Sequence, residues 1–113
     1  MKDHQGDIMV FYSVKARFIE EKLGEFYQKL TDGTVANQKP DGQEIVDSMK
    51  RAKITATNTI QWSEACFCPT PLEHEQVTVY DHFLTNFETQ TIDDYVEFEG
   101  ESFFGFLERQ FKK

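Results

Sequence analysis

Basic residues almost vanish from the second half of this chain. Residues 54–113 hold three (Arg109, Lys112, Lys113) against eleven Asp and Glu, whereas residues 1–53 balance nine against nine. The whole net charge of −8 therefore belongs to the later half. Neutralised phosphates supply most non-specific affinity for nucleic acid, and anionic membranes attract cations in the same way, so neither partner is expected. A local basic patch, Lys50, Arg51 and Lys53, is explained by a helix end, where cations complement the dipole.

Long apolar runs are missing as well. The longest, residues 8–12, falls far short of the ~20 residues that span a bilayer, and the start MKDHQGD lacks the apolar core of a secretory signal. Cysteine is limited to Cys66 and Cys68. On a strand, residues two apart have Cα atoms roughly 6.6–7 Å apart, at or beyond disulfide reach. Two reduced thiols suit a soluble protein of the cytoplasm. No G-x-G-x-x-G, P-loop or G-x-S-x-G pattern occurs, and no cofactor is implied.

What the chain has in abundance is aromatic surface: eleven Phe, four Tyr and one Trp in 113 residues. That is enough to build one core, so residues 1–113 are expected to form a single domain, with 1–7 as a tail.

Residues 8–18 alternate, Ile8, Val10, Tyr12, Val14, Ala16 and Phe18 against Met9, Phe11, Ser13, Lys15 and Arg17, which is the period of a half-buried strand. From Ile19 the period becomes helical through Leu23, Phe26 and Leu30, stopping at Asp32-Gly33. A loop over 31–42 leads to a second helix, about Gln43 to Lys53, with Asp41 and Glu44 spaced as a capping box. Alternation then predicts one long strand from Ile54 to Cys68, ended by Pro69 and Pro71. It predicts a third strand over about Gln76 to Phe87 and a fourth over Thr91 to Glu99. Gly100 breaks the last of these, and Ser102 is placed to cap a final helix rich in Phe.

The order β-α-α-β-β-β-α predicts an α+β fold: a four-stranded, mainly antiparallel sheet with helices on one face, a ferredoxin-like plait or near variant. The second rows of its strands are not wholly polar. They contain Met9, Phe11, Ala65, Phe67, Tyr80, Leu84 and Tyr95, and such a patch on an open face or edge predicts a homodimer that acts by binding.

An alternative is enzymatic. If Pro69 to Gln76 is a hairpin loop with Cys68 opposite Val77, Glu64 faces Asp81 across the strands. Paired carboxylates push one pKa up, which prepares a general acid and base for a small substrate. Glu64 and Asp81 are then the catalytic candidates, with Tyr12, Trp62 and His74 lining a ligand pocket between sheet and helices. Cys66, Cys68, His74 and His82 have zinc-ligand chemistry, but C-x-C on a strand is not the C-x2-4-C loop of structural sites, and no metal is predicted. The acidic run Glu88, Asp93, Asp94, Glu97, Glu99 and Glu101 lacks the spacing of a calcium loop and reads as a solvated, edge-protecting surface.

Overall fold

The computed structural model describes residues 9–39, 41–66, 72 and 75–112. Strand β1 (Val10–Phe18) leads through a tight turn at Glu20–Lys22 into α1 (Leu23–Thr31). Then come α2 (Gly42–Arg51), β2 (Lys53–Ala56) and β3 (Thr59–Cys66). A helical segment α3 follows, with wide turns over Gln76–Tyr80 that tighten over Asp81–Phe83. Strand β4 (Leu84–Ile92), the short β5 (Glu101–Ser102) and α4 (Phe103–Phe111) complete the chain. All pairs are antiparallel, in the order β4-β1-β3-β2-β5.

The α+β class holds, but the strands number five rather than four. Three corrections account for the difference. The long strand expected over 54–68 is a hairpin, because Asn58 takes a left-handed φ of 52° and turns β2 back as β3. Asparagine tolerates that conformation at low cost. The strand expected over 76–87 is helical up to Phe83: the residues it buries are Glu75, Val79, Tyr80 and Phe83, a helical recurrence rather than an alternating one. The strand expected over 91–99 pairs only as far as Ile92.

One face of the sheet carries the core. Tyr12, Val14, Ala16 and Phe18 of β1 and Ile60, Trp62, Glu64 and Cys66 of β3 point inward and are buried. Leu23, Phe26 and Leu30 of α1, Ile45, Val46 and Met49 of α2, and Phe103 and Leu107 of α4 cover them. Rings stack where the layers meet, Phe26 on Phe83 at 4.5 Å and Phe18 on Phe103 at 5.6 Å. Ser102 caps α4 by accepting from the Gly105 N–H at 3.0 Å.

The other face is crossed by a strap. Residues 93–100 travel from β4 at one margin to β5 at the other. On the way the Tyr95 ring meets Phe11 edge-on at 5.0 Å, and Ser63 Oγ both accepts from Val96 N–H (3.1 Å) and donates to its carbonyl (2.9 Å). Lys53 Nζ reaches the Phe98 carbonyl at 3.2 Å. Gly100 ends the strap with φ 146° against the Ile54 carbonyl, a close approach that leaves no room for a Cβ. The apolar patch expected to lie open, Phe11 and Ala65 included, is thus half-covered by the protein's own chain. Tyr80 and Leu84, expected on that face, are instead in the core.

Beyond Gln61, β3 has no partner in β2. Side chains of α2 take the place of a strand: Arg51 donates to the Ser63 carbonyl (2.9 Å) and Glu44 accepts from the Ala65 N–H (3.0 Å). Glu44 does not fold back onto its own helix as a capping box would require. It also accepts from Arg51 (3.0 Å) and from the Tyr95 hydroxyl (3.1 Å), and Asp41 at the N-cap makes no side-chain capping bond.

Candidate functional site

Alternation along β3 fixes the site. Ile60, Trp62, Glu64 and Cys66 share the inward row, so the strand's period delivers a carboxylate to a position surrounded by core. Glu64 has no exposed surface. Its Oε1 accepts from Trp62 Nε1 and from the Tyr80 hydroxyl, each at 2.8 Å, while Oε2 has no hydrogen-bond partner among the described residues. Trp62, Tyr80 and Phe87 close around it, with ring centroids 5.4 to 5.9 Å apart.

A second buried carboxylate stands nearby. Glu75 opens α3 with no exposed surface, and its Oε1 lies 3.7 Å from Cys66 Sγ. Cys66 is a buried thiol in its reduced form.

Burial pushes the Glu64 carboxyl up to about 8. The bonds from Trp62 and Tyr80 favour the ionised form and oppose the shift, while the charges of Glu75 and Glu44 add to it. Burial likewise holds the Tyr80 phenol well above its usual range, reinforced by the charge of Glu64 and the bond between them. Glu64 is therefore neutral at pH 7, and since Oε1 accepts two bonds its proton belongs on Oε2.

The structure brings together three of the five residues singled out from the sequence. Tyr12 lies directly opposite Glu64 in the β1–β3 register, on the same inward row, and Trp62 is bonded to Glu64. Asp81 does not face Glu64. It is exposed on α3, one residue past Tyr80, because β3 pairs with β1 and β2 and residue 81 lies on no strand. His74 falls outside the described residues, as do Cys68 and Phe67. His82 is exposed, and among the described residues no group of three His, Cys, Asp or Glu side chains could hold a metal ion.

Protein families, curated proteins and solved structures offer no match to this chain. Its own geometry must carry the functional reading.

Glu75 and Tyr80 escaped the sequence reading, which placed Glu75 in a hairpin loop and Tyr80 on the outer face. The signal was present: Glu75, Val79, Tyr80 and Phe83 recur at helical spacing, with the glutamate occupying a slot normally held by an apolar residue. No described helix is long and apolar enough to cross a membrane.

The site's aromatic wall ends at β4, the margin of the sheet. This strand runs nine residues, with only its Lys15–Arg17 neighbourhood irregular, where Asn86 at φ 57° inserts an extra residue. From Glu88 to Ile92 its register with β1 is continuous, its one charged side chain there is Glu88, and its far edge meets no other strand among the described residues.

Proposed function

We propose that this chain is a binding domain that pairs with a second copy of itself along the free edge of β4. The observation that carries the reading is the regular five-residue edge from Glu88 to Ile92, which offers unpaired backbone groups at one margin of the sheet. A two-fold antiparallel pairing must keep facing residues on the same side of the joint sheet, so it centres on a residue. Centred on Gln90, it sets Thr89 opposite Thr91 and Glu88 opposite Ile92. Centred on Thr89, it sets Glu88 opposite Gln90. Neither register puts like charges face to face, and Thr pairs hydrogen-bond well across strands.

The strand order β4-β1-β3-β2, with helices between β1 and β2 and between β3 and β4, supports reading the body of the fold as a ferredoxin-like plait to which α2, β5 and α4 are additions. The reduced Cys66 thiol suits a reducing, cytoplasmic setting.

Analytical ultracentrifugation over a concentration series reaching about 1 mM, the regime of small interfaces, tests the pairing. The expected result is a reversible species at twice the 13.2 kDa chain mass. Gln90→Glu sets the new carboxylate opposite its own symmetry copy in the first register and opposite Glu88 in the second, so it should return the protein to monomer in either. A single 13.2 kDa species throughout ends the proposal.

A second reading, proton transfer by Glu64, is favoured by one observation, the carboxyl raised to about 8. In it Glu75 replaces Asp81 as the second carboxylate, while Tyr12 and Trp62 shape the site. NMR titration of the Glu side-chain carbons tests it: a Glu64 midpoint in the ordinary carboxylate range removes its basis.

A further inference from the structure

Away from Glu64 and from the β4 edge, a hollow of about 320 Å³ opens between α1, the turns at 34–38 and α3. Its floor includes Val35, Val79 and Phe83, all buried. Lys22, Lys29 and His82 stand at its rim, with Gln38 beside them.

A solvated lysine face is ordinary on a helix and needs no concavity. Two features set this one apart. Lys22, at the end of the turn before α1, and Lys29, near the end of α1, both line the same hollow. Glu25 lies between them at ion-pair spacing and also lines the hollow, yet among the described residues neither lysine is in an ion pair. Asp32, which feels the charge of Lys29, keeps its own charge while accepting from the Thr34 N–H at 2.9 Å, and does not line the hollow. Within the lining itself, two ammonium groups stand against the single carboxylate of Glu25, in a protein of net charge −8. Seven of the ten lining side chains are polar and three apolar, a lining suited to a charged ligand, and the volume lies at the lower end of the range of small-molecule sites.

We propose that this hollow binds a small organic oxyanion. The carboxylate or phosphate group sits against Lys22, Lys29 and His82, and a compact apolar body rests on Val35, Val79 and Phe83. The inference goes beyond the self-association proposed above and shares no residue with it.

The test is an amide-shift NMR titration of the full chain at fixed ionic strength with benzoate, phenyl phosphate and uncharged benzamide. Saturable shifts at residues 22, 29, 38 and 78–82 are expected with one or both anions and not with benzamide. The anion that binds more tightly identifies the headgroup. Because a hydrogen bond to a charged group is worth about tenfold or more in affinity, the double variant Lys22→Gln/Lys29→Gln should weaken binding at least tenfold, with the spectrum elsewhere unchanged. Shifts that do not saturate, that benzamide reproduces, or that survive in the double variant overturn the proposal. Gln90→Glu leaves this titration untouched, so the two readings fail separately.

Discussion

Replacing Glu64 by Gln removes a titrating proton while keeping the shape of the side chain, and its effect on stability follows from the site's geometry. The folded carboxyl keeps its proton until about pH 8, whereas the unfolded chain releases it near the ordinary value of 4.5. Between those limits the folded state holds one proton more than the unfolded state. Stability is full below pH 4.5, falls by about 1.4 kcal/mol per pH unit above it, and levels off past pH 8. At pH 7 the accumulated cost is about 3 kcal/mol, a large share of the marginal stability of a domain this size. The Gln carbonyl can accept the bonds from Trp62 and Tyr80, and its NH2 takes the place of the protonated Oε2. Glu64→Gln should therefore match the wild type within about 1 kcal/mol at pH 5 and exceed it by about 4 kcal/mol at pH 8. Urea denaturation across that range, followed by far-UV circular dichroism and by the emission of the chain's single Trp, measures both curves. Since the Trp62 indole N–H is bonded to Glu64, native emission should also titrate near pH 8 in the wild type and not in the variant. Wild-type stability that stays flat from pH 5 to 8, or two parallel curves, refutes the reasoning.

Substitutions at two further positions probe the strap and the edge it borders. Ser63→Ala deletes both bonds to Val96, so amide exchange at residues 95–99 should rise sharply while global stability in urea falls by only about 1–2 kcal/mol. Arg51→Met strips the donors from the Ser63 carbonyl and from Glu44 and removes the guanidinium that lies 4.4 Å from the Tyr95 ring, an expected loss of about 2–3 kcal/mol in the same assay. Arg51→Lys should recover little of it, because one ammonium cannot reproduce a planar fork that bonds and stacks together.

Where local pattern and tertiary packing agreed, the fold was legible in the sequence. The alternation of residues 10–18, the helical period from Leu23 to Leu30, the Gly33 stop and the Ser102 cap each state a backbone geometry through nearby residues. The reading failed where one pattern supports two geometries. Val77, Val79, Asp81 and Phe83 alternate on paper, yet the burial of Glu75, Val79 and Tyr80 winds the segment into a helix, and β-branched residues did not prevent it. That single error had placed Asp81 in the site. Glu64 could be found because a carboxylate interrupts an apolar row. Its true neighbours could not, since Tyr80 and Glu75 reach it through a helix whose position depends on the whole core.

The strap across the outer face carries a consequence for the order in which the chain assembles. Its anchors join Ser63 to Val96, Lys53 to Phe98 and Glu44 to Tyr95, separations of 33, 45 and 51 residues. Loops of that length must be closed before any contact rewards the closure, and nothing receives the strap until β1 and β3 have paired. It is accordingly the last part to dock and the first to detach. Partial opening exposes Phe11 and the β3 margin while leaving the Glu64 core intact, so the earliest proteolytic cut should fall between Asp93 and Gly100.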